Sequence, residues 1–388
     1  MHDWKQTAPS KVRRPLGDDM KIRAGDWVQV RDAEEILATL DSNGRLDGLP
    51  FMPQMFAYCG KSFRVLSSAY KTCDTVSGHY RGRRLPDAIH LDTRCDGQAY
   101  GGCQAACLIF WKTAWLKPIE ASEPARSQIP RCPDEHDGPR QQGVCTDLDV
   151  WRATVASDVG QEPRYSCQAT ELLNYTAPLK WWDVRQYVEA YTSGNRTLAQ
   201  VGQGLFFLFY CYATLALSEK WGRPARWLYN RFQAITNGIP FPRLKGRIPA
   251  GHPTPRRDLG LEPGDLVRIR PYDEILATLD TRLTNRGLAI DAELAPFCGR
   301  VFRVGARIDR FVDERTGKMR FMKTPAVTLE GVVCQSLYAG QRLFCPRSIH
   351  LWCREIWLER VVSDGPVKAT AVCGGHAAAT ADSAPVRG

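Results

Sequence analysis

The sequence lacks the short motifs that mark the common enzyme classes. It contains no Gly-x-Ser-x-Gly nucleophile elbow, no Gly-x-x-x-x-Gly-Lys-Ser/Thr phosphate loop and no His-Glu-x-x-His pair. The usual serine hydrolases, nucleotide-dependent enzymes and zinc peptidases are therefore poorly supported. Paired Cys-x-x-Cys, the strongest sequence signature of a zinc site, is also missing.

Long apolar runs are missing as well. The longest, residues 204–217, is shorter than the roughly 20 residues that a membrane-spanning helix needs, and it is interpreted as a buried core helix, with a membrane-surface segment as the alternative. No apolar stretch follows the basic segment 1–23, so a secretory signal is not expected. We therefore expect a reducing cytoplasm, in which thiols stay free or bind metal.

The sequence does contain an internal repeat. Glu-Ile-Leu-Ala-Thr-Leu-Asp at 35–41 recurs unchanged at 274–280, and in the same register residues 25–31 match 264–270. Further matches continue to Trp115-Leu116 and Trp357-Leu358. So many matches in one register indicate two copies of a module of about a hundred residues.

The module pattern is mixed and mainly β. Residues 26–31 alternate as a half-buried strand does, and residues 34–40 favour a short helix. The opening Gly-Asp-x-Val-x-Val/Ile-Arg, followed by Gly-x-x-Phe-Arg-Val, resembles the small SH3-like barrels of KOW-type modules, over the first half of each repeat. The whole arrangement resembles an uncharacterised bacterial family with two cysteine-bearing repeats, which implies no activity. The predicted fold class is α+β, with two SH3-like, mainly β modules related by duplication and separated by a helical insert.

Composition predicts where the modules end. The expected segments are a flexible N-terminus at 1–21, repeat 1 at 22–119, a linker at 120–164, a helical insert at 165–239, a Pro-rich basic linker at 240–260, repeat 2 at 261–362 and a disordered tail at 363–388.

Three cysteine positions are shared by the two copies, and they suggest metal binding. Thiols that converge in space are candidate ligands, because thiolates bind zinc and iron tightly. In the first copy Cys107 is the expected fourth ligand, with Cys73 or His90 as alternatives. In the second copy Ile349 replaces Cys107, which leaves His350 and Cys353. The predicted ligands are Cys59, Cys95, Cys103 and Cys107 in one site and Cys298, Cys334, Cys345 and Cys353 in the other.

Other interpretations of these cysteines stay open. They could fill a hydrophobic core as buried free thiols, or form disulfides. Cys132, Cys145 and Cys167 lack repeat partners and are interpreted as linker thiols, with a larger first cluster as the alternative. Arg94 could lower the pKa of Cys95 and make a reactive thiolate.

Positive charge is concentrated in residues 218–257, which hold nine Lys and Arg against one acid. Such a segment attracts nucleic-acid phosphates or an anionic membrane surface, unless it is simply a solvated helix face. The residues proposed for this contact are Lys220, Arg223, Arg226 and Arg231.

The leading functional hypothesis is a metal-thiolate protein that binds zinc, or else iron or an iron–sulfur cluster, and acts as an accessory module for a protein partner. The alternatives are a metal- or thiol-dependent tailoring enzyme with its site in repeat 1, and a nucleic-acid-binding protein.

Overall fold

The predicted alternation of buried and exposed side chains is confirmed in the first strand of the first module. The computed structural model describes residues 21–78, 81–120, 145–156, 162–216, 219–235, 239–242 and 244–361, so the predicted N-terminal and C-terminal segments lie almost wholly outside it, as do Cys132 and Cys373. In β1 (Trp27–Val30), Val28 and Val30 are fully buried while Trp27 is 40% exposed. The period of two is the one that a half-buried strand requires.

The first module is built from short strands and one short helix. They are β1, α1 (Ala33–Leu37), β2 (Arg45–Leu46), β3 (Leu49–Pro50), β4 (Ser62–Ser68), β5 (Lys71–Cys73), β6 (Gly82–Arg84), β7 (Ala88–Arg94), β8 (Leu108–Lys112) and β9 (Leu116–Ile119). Five of them form a curled antiparallel sheet in the order β8-β7-β4-β1-β9. The core of the module lies against this sheet and includes Trp111 and Trp115, both fully buried.

The chain between the modules packs onto the first module before it becomes helical. Its elements are α2 (Asp147–Arg152), β10 (Val155–Ala156), β11 (Arg164–Tyr165), β12 (Ala177–Leu179), α3 (Arg185–Thr192), α4 (Leu198–Ala216) and α5 (Glu219–Ile235). Cys145 and Val150, inside the predicted linker, belong to the core of the first module. Strand β12 pairs with β6. Within the described ranges, no helix combines the length and hydropathy needed to cross a membrane.

The second module repeats the central pairing of the first. Its elements are β13 (Leu266–Ile269), α6 (Tyr272–Ala277), β14 (Thr284–Asn285), β15 (Leu288–Ala289), β16 (Val301–Val312), β17 (Met319–Leu329) and β18 (Leu358–Arg360). Four of them form a curled sheet in the order β17-β16-β13-β18. Val267 pairs with Phe302, as Val28 pairs with Phe63 at the equivalent place in the first sheet. The α+β class is therefore confirmed.

The long hairpin of the second module reaches over the first. Strands β16 and β17 have 12 and 11 residues, whereas β4 and β7 have 7 each. Val312, at the end of β16, is 5% exposed and belongs to the hydrophobic core of the first module, with Met319 packed beside it. The two modules therefore share a core at this point.

Candidate functional site

A cavity of about 40 Å³ lies at the end of β7 and β8 in the first module. Four thiols line it, together with the thioether of Met52. They are Cys95, Cys103, Cys107 and Cys167. Three of these four, Cys95, Cys103 and Cys107, were predicted to share a site, and all four residues line this cavity.

The strand ends of β7 and β8 position two of the thiols. Cys95 follows the last residue of β7, and Cys107 precedes the first residue of β8. The Cys95 amide donates a hydrogen bond to the Cys107 carbonyl at 2.9 Å. Because paired strands hold their ends in register, these two residues are fixed beside each other.

The loop between these strands brings in Cys103 through a tight turn at Gly97. Gly97 has φ of +72°, and a Cβ atom there would lie 1.8 Å from the Cys103 carbonyl oxygen. Only glycine tolerates both the left-handed backbone and this approach. The Asp96-Gly97 turn is thus a condition for placing Cys103 in the cavity.

Cys167 lies between β11 and β12, within the range predicted as the helical insert. Its sulfur accepts hydrogen bonds from the backbone amides of Ala169 and Thr170. The neighbouring Gln168 is 4% exposed and anchors this segment to β8, because its side chain accepts from the Phe110 amide at 2.8 Å and donates to the Phe110 carbonyl at 2.9 Å. Cys167 is therefore held against the first module by buried hydrogen bonds.

The sulfurs of Cys95 and Cys103 also accept hydrogen bonds. The Gln54 side-chain amide donates to the Cys95 sulfur at 3.2 Å, and the backbone amide of Gly97 donates to it as well. The Val312 amide donates to the Cys103 sulfur at 3.3 Å. Amide donors aimed at sulfur stabilise the thiolate form and orient it, as outer-shell partners of metal-bound thiolates do.

The second module supplies one wall of the cavity. Val312, Glu314 and Arg347 line it, and Arg347 forms an ion pair with Glu314 at 3.1 Å. The side chain of Gln104 accepts from the amides of Asp309 and Arg310 at 2.7 and 3.0 Å. The cysteine loop of repeat 1 is thereby fastened to β16 of repeat 2.

Burial disfavours the charged form of three of these thiols. It raises the pKa of Cys107 to about 12 and that of Cys167 to about 11, and it raises the pKa of Cys95 as well. Desolvation disfavours the charged form of a buried thiol. Without a bound cation, these three sulfurs therefore stay protonated.

The reactive-thiolate prediction for Cys95 is wrong. The Arg94 guanidinium donates to the carbonyls of Ala106 and Ser348 at 2.9 and 3.1 Å, and burial dominates the pKa of the neighbouring thiol. His90, the alternative ligand, is fully buried and bonds through Nδ1 to the Ile109 carbonyl at 2.9 Å. It serves the core.

The structure distributes the remaining predicted ligands over other places. Cys59 ends the 3-10 helix Pro53–Tyr58, where burial and the nearby Asp32 raise its pKa to about 11. Cys298 and Cys353 are electrostatic neighbours within the second core, and their sulfurs donate to the carbonyls of Leu294 and Leu351.

The thiols of the second copy do not reproduce the grouping of the first. Cys334, the counterpart of Cys95, lies 3.4 Å from the Ser336 hydroxyl. Cys345, the counterpart of Cys103, hydrogen-bonds to Cys73 of the first module. Across the described residues, no three or more His, Cys, Asp or Glu side chains are already arranged around a metal-ion position. The four cavity thiols share a space without forming a preorganised ligand set.

The repeat comparison misses one residue of the cavity, although the sequence carries a signal for it. Cys167 has no repeat partner, which favours a linker thiol. The tripeptide Cys-Gln-Ala, however, occurs at 103–105 and again at 167–169. In both places the glutamine side chain makes the hydrogen bonds that anchor the cysteine segment.

Comparisons with models of protein families, with curated proteins and with solved structures found no match for the chain.

Proposed function

We propose that the four-thiol cavity is a thiolate metal centre that takes zinc or iron, and that the protein is a metal-stabilised accessory module. The observation that carries this proposal is that Cys95, Cys103, Cys107 and Cys167 line one cavity. Four thiolates are a full tetrahedral set for Zn²⁺ or for iron. The centre would join the first module, the segment between β11 and β12 and the wall from the second module.

Metal binding requires the sulfur atoms to turn inward. A cysteine has three staggered positions about its Cα–Cβ bond, so the sulfur can be redirected without moving the backbone. The ion must also displace the thiol protons, so that binding is coupled to proton release. The amide donors on Cys95, Cys103 and Cys167 favour a deprotonated sulfur only where that sulfur keeps its present position.

Charged groups near the cavity act in both directions. A divalent ion with four thiolates carries a charge of −2. The guanidinium of Arg347 is fully buried at the cavity wall, and the charge of Arg94 acts on Cys107. These two cations offset part of the cost of burying a dianionic cluster, whereas Glu314, the ion-pair partner of Arg347 at the same wall, opposes it.

The size of the cavity favours an ion over an organic substrate. Pockets for small-molecule ligands are roughly 300–1,000 Å³, whereas this one is about 40 Å³. The small volume therefore favours the hypothesis of an accessory module over that of a tailoring enzyme.

Elemental analysis of the purified full-length chain tests the proposal. We expect about one metal ion per chain, lost in the variants Cys107→Ser and Cys167→Ser. Cys59→Ser is the matched control, since the repeat comparison makes Cys59 a ligand and the cavity does not, and it should retain the metal. The ultraviolet–visible spectrum separates colourless zinc from coloured iron centres. A chain that takes up neither Zn²⁺ nor Fe²⁺, or that loses metal in Cys59→Ser alone, would overturn the proposal.

We further infer that the two curled sheets are SH3-like modules that arose by duplication. The equivalent pairings Val28 with Phe63 and Val267 with Phe302 support this inference. An experimentally determined structure in which the two modules failed to superpose strand for strand would contradict it.

A second candidate function concerns the helical insert. We propose that it contacts an anionic membrane surface, because it exposes large apolar side chains beside basic ones. Phe209 on α4 is 69% exposed, and Trp227 and Leu228 on α5 are 67% and 53% exposed. Arg231, on α5, is exposed too, and the same helix carries Lys220, Arg223 and Arg226. Interfacial helices combine apolar side chains with cations in this way.

An aliphatic residue among the exposed aromatics favours lipid over nucleic acid, since leucine cannot stack on a base as an aromatic ring does. Sedimentation with phosphatidylcholine vesicles, with or without phosphatidylglycerol, tests the choice. Binding should require the anionic lipid and fall in Phe209→Ser/Trp227→Ser. Phe321→Ser, which removes a 74% exposed ring from β17, is the control. Binding to single-stranded nucleic acid without binding to vesicles would reverse the assignment.

A further inference from the structure

A second group of thiols lies between the two modules, apart from the metal cavity. Cys73 is the last residue of β5, and Cys345 follows the 3-10 helix Gly340–Arg342 of the second module. They are 3% and 2% exposed, and their side chains are hydrogen-bonded to each other. Two buried sulfurs from different modules are thus in direct contact.

Contacts on both sides of the pair hold the two chain segments together. Two residues before Cys73, the Lys71 ammonium donates to the carbonyl of Leu343, which lies two residues before Cys345. Two residues after Cys345, the Arg347 guanidinium donates to the Cys73 carbonyl at 3.3 Å and to the Thr75 hydroxyl at 2.8 Å. Since a disulfide forms only between backbones that are already close, these clamps favour a cross-link.

We propose that Cys73 and Cys345 are a redox site, oxidised by hydrogen peroxide to a disulfide that joins the two modules covalently. This inference goes beyond the proposed metal centre and uses none of its four thiols. In a reducing compartment such disulfides are transient and responsive to oxidants rather than structural. Because the two side chains are only 3% and 2% exposed, the proposal names a small oxidant rather than a protein.

The structure distinguishes the roles of the two sulfurs. The hydrogen bond from Cys345, together with the charges of Arg347 and Arg342, lowers the pKa of Cys73 against the effect of burial, and the Arg347 guanidinium also donates to the Cys73 carbonyl at 3.3 Å. The same hydrogen bond, with burial, raises the pKa of Cys345. Cys73 is therefore the thiolate that reacts first, and Cys345 is the thiol that resolves the product.

The two steps balance. The Cys73 thiolate attacks one peroxide oxygen; the S–O bond forms as the O–O bond breaks, and the hydroxide that leaves takes up the proton that Cys73 released on ionising. The Cys345 sulfur then attacks the sulfenic sulfur, so that the S–S bond forms as the S–O bond breaks, and the second hydroxide leaves as water with the Cys345 proton. The sulfurs lose two electrons in total, and the peroxide gains them.

Peptide mapping of the peroxide-treated full-length chain tests this proposal. Trypsin releases Cys73 in peptide 72–81, Cys345 in peptide 343–347 and Cys334 in peptide 324–342, so each thiol is read separately. We expect a cross-linked 72–81/343–347 species that dithiothreitol dissolves. The pair Cys298 and Cys353, whose thiols bond to carbonyls instead, is the internal control and should oxidise more than about tenfold more slowly.

Two single variants test which cysteine reacts first and which resolves the product. The mapping of the unaltered chain remains the test of the cross-link itself. Cys345→Ser should leave Cys73 as a sulfenic acid that dimedone traps, while Cys73→Ser should give no adduct at position 345. A melting curve of each variant shows whether it folds. The proposal fails if the unaltered chain links Cys345 to Cys334, if peptide 72–81 is oxidised without any cross-link, or if all the buried thiols oxidise at one rate.

Discussion

The Val312 amide donates a hydrogen bond to the Cys103 sulfur at 3.3 Å, across the boundary between the two modules. The donor ends a strand of the second repeat, and the acceptor lies in the cysteine loop of the first. The two modules are therefore not independent copies of one site, because the second completes the cavity of the first.

Gly97→Ala should disrupt the cysteine loop. The new Cβ atom would overlap the Cys103 carbonyl and occupy a left-handed conformation, so we expect a loss of several kcal/mol in the free energy of unfolding and a loss of bound metal. Gly299→Ala is the control, because Gly299 has φ of +77° but no atom lies within 4 Å of the position that its Cβ would take. It should cost only about 1 kcal/mol. Equal melting temperatures for the two variants would contradict the role of close approach.

Arg347→Met should destabilise the contact between the modules by about 1–3 kcal/mol, the usual cost of leaving a buried polar group without its hydrogen-bond partner. The ion pair with Glu314, whose side chain is 24% exposed, and the bonds to Cys73 and Thr75 would be lost. In the double variant Arg347→Met/Glu314→Gln the total loss should be smaller than the sum of the single losses. Urea unfolding of the four proteins measures this coupling, and strict additivity would show that the pair does not interact.

Gln168→Met should release the segment that carries Cys167. The substitution preserves volume but leaves the amide and carbonyl of Phe110 unsatisfied in the core, at about 1–3 kcal/mol for each buried group. Metal content should fall with stability. Gln104→Met removes two exposed acceptor contacts instead, and it should lower stability less than Gln168→Met does.

Stability should fall in acid because of His90. Burial lowers the pKa of this histidine to about 4 from an ordinary value of 6.5. The unfolded chain therefore binds the proton first, and the contribution of the neutral ring is complete above pH 6.5 and lost as the pH falls to 4. The loss amounts to about 3 kcal/mol.

The matched measurement compares the native chain with His90→Gln by urea unfolding between pH 7 and pH 4. The glutamine variant should show a shallower decline. His350→Gln is a necessary second variant, since burial also lowers the pKa of His350 to about 4. Parallel curves for the native chain and His90→Gln would rule out His90 as the source.

The central pairings were predictable from sequence. The alternation at Val28 and Val30 is a local pattern, and the register of the repeat is found by matching the chain with itself. The grouping of the cysteines was only partly predictable. Cys95, Cys103 and Cys107 lie near one another along the chain, and strand pairing brings their loop together. Cys345 and Cys73 meet through tertiary packing of the two modules, which no comparison of one copy with the other reveals.

The hairpin of β16 and β17 also sets an order of events during synthesis. The cysteine loop of the first module leaves the ribosome long before Val312 and Arg347 do, so its cavity has no finished wall until most of the chain has been translated. A chain cut after the first module would hold its thiols open to the surrounding solution. The proposed metal centre would therefore mature in the last stage of folding, after the second repeat has docked.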